Sequence, residues 1–322
     1  MESRRPNSPI HFIWRQILFS LIVVAGRSLF AQPSTNLQRA TDCFERQDWA
    51  CAEANYKHEL QRFPRNSSVH YNSALALLKQ GKYKAAESHL ETVVLLDPND
   101  SEAYAALGLS RFKLDKLESA AAAYLKSIDI NPTAEAYSDV GLIFVNQGQF
   151  KRAIPALQQA LKIQPELPEA HTNLGLARLM QGNPSAAIAE LRTATKLDPN
   201  SVEAQTTLSL ALSEKGQYKE AIAILSKVTQ REPDFAEAYA GLGMVLVQQG
   251  NFSEGMDSLR KSITIDPLSA RCHLLLGLGL YGQGNTQEGM AHIKKAKDLF
   301  KEQGRPRFAA QIDQILQQLN AQ

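Results

Sequence analysis

The sequence predicts an all-α solenoid of antiparallel helix hairpins, closed at its C-terminal end by one capping helix. Three observations predict it. Seven prolines (Pro64, Pro98, Pro132, Pro165, Pro199, Pro233 and Pro267) recur every 34 residues, with a single interval of 33, and such a period marks stacked supersecondary units. Two columns at that period carry only small side chains. Aromatic residues make up only 7% of the chain while alanine and leucine abound, a balance that favours helices over sheets.

Length and charge agree with this and exclude several alternatives. A chain of 322 residues would suggest two ordinary domains, but an internal repeat overrides that expectation. With 44% hydrophobic and 21% charged residues the chain can bury a core and is no disordered tail. A net charge of +2 is too balanced for an electrostatic footprint on nucleic acid. Three cysteines are too few for a disulfide scaffold or a four-cysteine zinc site.

The first element is an address. Residues 1–16 carry Arg4, Arg5 and Arg15 with no acid after Glu2, and lead into ten uncharged residues, 17–26. A basic segment before a short apolar run predicts a secretory signal peptide over residues 1–31, cut after Ala31, with a competing site at Val23-Val24-Ala25. Ten residues are too few to cross a bilayer, which takes about 20; an uncleaved membrane anchor is the alternative. The chain is thus expected to be exported, to a periplasm or outside the cell, and to meet a membrane only transiently. Removing residues 1–31 takes away four arginines and Glu2, leaving 31 basic against 32 acidic residues.

The repeats follow. With proline as the thirty-second position they run 33–66, 67–100, 101–133, 134–167, 168–201, 202–235, 236–269 and 270–303. Position 8 is small in each: Ala40, Ala74, Gly108, Gly141, Gly175, Ser209, Gly243 and Gly277. Position 20 is small as well: Ala52, Ala86, Ala120, Ala153, Ala187, Ala221, Gly255 and Gly289. Two helices of a hairpin approach closely only where both lack bulk, so these columns predict their crossing. Larger apolar residues surround it, Leu107, Val140, Leu174 and Leu276 at position 7, and Leu90, Tyr124, Leu157, Leu225, Leu259 and Ile293 at position 24. Glycine at position 15, as in Gly81 and Gly148, suits the left-handed end of the first helix. Proline at position 32 stops the second.

The clearest instance is AEAYSDVGLIFVNQGQFKRAIPALQQALKIQP from Ala134. On these residues the chain resembles the tetratricopeptide repeat (TPR) family over Pro33–Lys301. The resemblance implies a right-handed superhelix whose inner surface, lined by the first helix (A) of each repeat, binds ligands. Departures lie at the ends, with Asn36 and Arg39 where bulk is expected and Lys301 in place of the last proline. Residues 304–322 are expected to cap the stack, through Phe308, Ile312, Ile315, Leu316 and Leu319 on one stripe of a helix that starts at Pro306.

No catalytic constellation is present, and neither an enzyme nor a cofactor is expected. The one G-x-G-x-x-G pattern, Gly277, Gly279 and Gly282, falls inside an A helix with no strand before it. His70, His171 and His273 share position 4, a packing position. Cys272, His273 and His292 share the last repeat, and no metal site is expected of them. Cys43 and Cys51 flank the first turn, and an exported chain predicts a disulfide between them, two buried thiols being the alternative. Cys272 has no partner. Asn66 and Asn251 lie in N-x-[ST] sequons.

Positions 9 and 12 of helix A form an unusually apolar row. It comprises Leu75, Leu78, Leu109, Phe112, Leu142, Val145, Leu176, Leu179, Leu210, Met244, Val247, Leu278 and Tyr281. Family members that clamp a carboxylate use basic and amide residues at positions such as 5 and 9, which this chain lacks. The expected function is a non-catalytic scaffold that binds an apolar or amphipathic segment of a protein or peptide along this row. The alternatives are that position 9 only extends the core, and that a second copy of the chain fills the row. Glu102, Glu135, Glu169, Glu203 and Glu237 share position 2, where a carboxylate complements the helix dipole; an acidic ladder for a basic partner is the alternative reading.

Overall fold

A computed structural model describes residues 35–320 of the chain, and every regular element among them is a helix. The expected signal segment lies outside the described residues. The chain divides after Gln181 into two compact units. The division falls in the turn of the fifth repeat.

The first unit carries α1 (Thr35–Glu45), α2 (Trp49–Arg62), α3 (Ser67–Lys79), α4 (Tyr83–Leu96), α5 (Ser101–Lys113), α6 (Leu117–Ile130), α7 (Ala134–Asn146), α8 (Phe150–Ile163) and α9 (Pro168–Met180). The second carries α10 (Pro184–Leu197), α11 (Val202–Glu214), α12 (Tyr218–Arg231), α13 (Ala236–Gln249), α14 (Phe252–Ile265), α15 (Ala270–Gly282), α16 (Thr286–Glu302) and α17 (Pro306–Asn320). From α1 to α15 the odd-numbered helices are the A helices, and the even-numbered ones are the second helices (B). No helix among the described residues is long and apolar enough to cross a membrane.

Helix starts have a chemical cause. The side chains of Asn66, Asp100, Thr133 and Ser201 accept hydrogen bonds from the backbone N–H three residues on and so cap α3, α5, α7 and α11. That use of Asn66 engages the amide of its sequon. The turn between A and B is set at position 15, which takes a positive φ throughout the described repeats. Gly148 there has φ 70°, but Gln47 and Asp115 hold the same place at 59° and 58°. The turn is therefore imposed by the hairpin even where a Cβ opposes it.

Packing around positions 8 and 20 sets the helix spacing. Ala74 and Ala86 are fully buried, as are Leu90, Leu157, Leu225 and Leu259 at position 24. A Cβ on Gly243 would lie 2.7 Å from the Gly255 carbonyl oxygen and 2.7 Å from Leu259, and one on Gly108 would strike the ring of Tyr124 at 2.5 Å. The glycines make room for the position-24 side chain as well as for the facing helix.

Charged clamps join successive repeats. Glu87 of α4 pairs with Arg111 at 3.2 Å and Lys116 at 2.6 Å, both from the next repeat. Burial works against the Glu87 charge, but hydrogen bonds from Lys116 and Arg111 outweigh it and hold the carboxyl below its ordinary range. Glu53 and Lys82, 2.6 Å apart, repeat the device one unit earlier.

The two ends are closed differently. In the first hairpin Cys43 and Cys51 form a disulfide, with their Cα atoms 5.7 Å apart. At the other end, Ala309, Ile312 and Leu316 of α17 are buried against Ile293, Ala296 and Leu299 of α16. The expected stripe shifts by one residue at its start. Ala309 takes the buried place, and Phe308, half exposed, stacks on Phe300 at 5.2 Å.

Opposite substitutions test this reading of the glycines. Gly243→Ala is expected to destabilise the protein by about 1–3 kcal/mol through overpacking, and Asp115→Gly to stabilise it by about 1 kcal/mol by relieving the left-handed strain. Urea midpoints unchanged from the parent would contradict both.

Candidate functional site

The A-helix face is built from residues that the hairpin leaves over once positions 7, 8 and 11 are packed. Along it the apolar row divides. Leu75, Leu78, Leu109 and Val145 are buried to between 1% and 6% exposure and belong to the core of the first unit, so for them the core reading replaces the expected ligand contact. Phe112, Leu142, Leu176 and Leu179 in the same unit stay partly exposed.

In the second unit Leu210, Met244, Val247 and Tyr281 are partly exposed and Leu278 is 37% exposed. Tyr281 is tied to the cap, its hydroxyl donating to the Leu319 carbonyl at 2.9 Å. The Sδ of Met244 lies 3.1 Å from the Arg271 guanidinium.

A buried polar pair that the sequence reading missed lies beside the row in the first unit. Position 6 is Asp139 on α7 and Asn173 on α9. Asp139 accepts a hydrogen bond from the Tyr124 hydroxyl, which reaches it from α6 over Gly108. Burial pushes its carboxyl up to about 7, the Tyr124 hydrogen bond works against that, and the Glu135 and Glu169 charges add to the rise. Asn173 is 3% exposed; its Nδ2 donates to Ser138 Oγ at 3.2 Å, while its Oδ1 has no hydrogen-bond partner. Nearer the start of the chain, Tyr71 of α3 donates to Glu102 of α5 at 3.4 Å. Position 6 is also polar as Gln38, Asn72 and Thr207 in other repeats, so the sequence held no signal that set Asp139 and Asn173 apart.

The histidines are structural. His70 and His89 meet at 2.8 Å between Nδ1 atoms, and His70 Nε2 lies 2.9 Å from the Pro64 carbonyl. His273 and His292 repeat this at 2.8 Å, with His273 Nε2 3.2 Å from the Pro267 carbonyl. Because the carbonyl only accepts, the inner nitrogen of His70 accepts from its partner ring. Cys272 turns away, its Sγ 3.3 Å from Ser262 Oγ. Among the described residues no three histidine, cysteine, aspartate or glutamate side chains are placed to hold a metal ion. A cleft of about 420 Å³ beside His70 and His89 is lined by both Glu53 and Lys57, with Glu53 committed to Lys82.

Models of the tetratricopeptide repeat match residues 37–87, 71–135, 168–201 and 212–279, and one described as TPR repeat matches 141–182. Among solved structures the chain is similar to a tetratricopeptide repeat protein from Parabacteroides merdae, at 17% identity over 76% of this chain and 98% of that one, TM-score 0.63. It is also similar to a chain of the APC/C hetero-tetramer Cut9–Hcn1, at 18% identity over 92% of this chain and 59% of that one, TM-score 0.63. Pseudomonas aeruginosa pilF follows, at 18% identity over 64% and 94%, TM-score 0.54. These likenesses are of fold. No curated protein matches the chain.

Asp139 makes a pH prediction. A carboxyl raised in the fold contributes stability at pH below its unfolded value, near 4, and that stability is lost as pH rises toward 7. Asp139→Asn keeps the shape and removes the titration. Its stability relative to the parent is expected to grow by about 1 kcal/mol per pH unit between pH 5 and 7 and to level off above. Parallel stability–pH curves for the two proteins would contradict this.

Proposed function

The chain belongs to the tetratricopeptide repeat family, and from that premise we propose that it is a non-catalytic protein-interaction scaffold holding an apolar or amphipathic partner segment on its A-helix face. One observation carries the reading. Leu142 and Leu176 hold the same position on neighbouring A helices, α7 and α9, and both stay partly exposed. Burying such residues against a partner is worth about 25 cal/mol for each Å² removed from water. Glu53, Lys82, Glu87, Arg111 and Lys116 are engaged in clamps between repeats.

Export is part of the proposal. The basic and apolar order of residues 1–26 supports it, and so does a disulfide between Cys43 and Cys51, a bond that persists in oxidising compartments. Mass spectrometry of the protein recovered from its native cells is expected to find a first residue of Gln32; a chain retaining residues 1–31 would refute cleavage.

The docking face is tested by placing a photo-reactive residue at Leu176 and, as a control, at Lys126 on the exposed side of α6. Partner adducts are expected from position 176 alone and are expected to vanish when Leu142→Glu is added, with the helical circular dichroism unchanged. Equal labelling from both positions would overturn the assignment.

A further inference from the structure

Besides tying its hairpin together, the first histidine pair borders the cleft of about 420 Å³ between α2, α3 and α4. The hydrogen bonds of the pair fix where its protons stand. The Pro64 carbonyl can only accept, so His70 carries its proton on Nε2, 2.9 Å away, and its Nδ1 offers a lone pair. His89 must then place its own proton on Nδ1, 2.8 Å from that lone pair. This leaves the outer nitrogen of His89, Nε2, bare. A proton arriving from solvent adds there, and the contact between the rings survives as a charge-assisted hydrogen bond. The pair gains a charge without coming apart.

That charge arises on a residue lining the cleft, where Lys57 of α2, an exposed side chain, is a second lining residue. Glu53 is the one carboxylate of the lining, and its Oε2 accepts from Lys82 at 2.6 Å and from Gln80 at 2.9 Å. The charged and titratable groups around the cleft are thus Glu53 and Lys57 from α2, His70 from α3 and His89 from α4. With His89 neutral, Glu53 and Lys57 cancel. With a proton on Nε2, the lining carries a net positive charge. Leu60, half-buried, and Leu77, buried, add an apolar wall.

We infer that this cleft is a proton-gated site for a carboxylate on a short apolar body, its oxygens held by Lys57 and by the protonated Nε2 of His89, its carbon chain against Leu60 and Leu77. A volume of a few hundred Å³ suits a small molecule or a single side chain. Burial and the His70 charge hold His89 below its ordinary value, and the Glu53 charge works against them. The ring is therefore uncharged at neutral pH, and the site strengthens as pH falls below the ordinary histidine value of about 6.5. His273 and His292 repeat the hydrogen bond outside this cleft and serve as a reference within the same chain.

The full chain, isotope-labelled at its imidazole nitrogens, is titrated by NMR with sodium isocaproate at pH 5.5 and pH 7.5, against sodium chloride of equal strength. Neutral His89 is expected to carry its proton on Nδ1. Its signals are expected to move with isocaproate at pH 5.5, with binding about fivefold weaker at pH 7.5. The uncharged isocaproamide should leave His89 unmoved, and His292 should respond to neither. Lys57→Gln, a change on an exposed side chain, is expected to weaken binding about threefold at pH 5.5, and His89→Gln to remove its pH dependence. Acetyl-Gly-Ser-Leu, titrated alongside, separates the sources of the carboxylate: comparable binding assigns the site to a chain end, and its exclusion to a free acid. A proton on Nε2 of neutral His89, equal binding of acid and amide, binding indifferent to pH, or no movement of His89 with isocaproate would overturn the site.

Discussion

The close approach of the two helices at positions 8 and 20 is the constraint on which the rest depends. Where an alanine or glycine faces another, the backbones meet, and the large position-24 side chain folds into the space beside them. Gly243 against Gly255 and Gly277 against Gly289 show the limit, with an added Cβ meeting a carbonyl oxygen of the facing helix at 2.7–2.8 Å. A fixed spacing fixes which side of helix A remains outside. The exposed leucines therefore inherit their positions from a packing rule in which they take no part.

Much of this was legible in the sequence because each hairpin is a local unit and its rules recur. The proline interval, the two small columns and the caps all act within a few tens of residues, and repetition multiplied the signal. The helix-breaking glycine was legible only in part. Gln47 and Asp115 take the left-handed conformation without being glycine, since the geometry of two packed helices outweighs the preference of one residue.

Exposure along the apolar row was not legible. Leu109 and Leu142 occupy the same repeat position, yet the first is buried and the second is not. A period assigns both leucines the same place, and which of them is covered is decided by tertiary contacts that it averages away. The pairing of Asp139 with Asn173 escaped for a related reason. Polar residues stand at position 6 in several repeats, and only tertiary burial sets Asp139 and Asn173 apart from Gln38 and Asn72.

The Tyr124 hydroxyl, rooted in α6 of one repeat, reaches Asp139 on α7 of the next and so helps to set its acidity. Tandem repeats invite treatment as interchangeable bricks, to be shuffled, duplicated or excised. Here the brick starting at Ala134 keeps its proton affinity only behind a predecessor that supplies a phenol and the glycine that makes room for it. Moved behind a repeat with leucine at position 24, the same thirty-four residues would fold alike and titrate differently. Identity in this array is thus a property of ordered pairs.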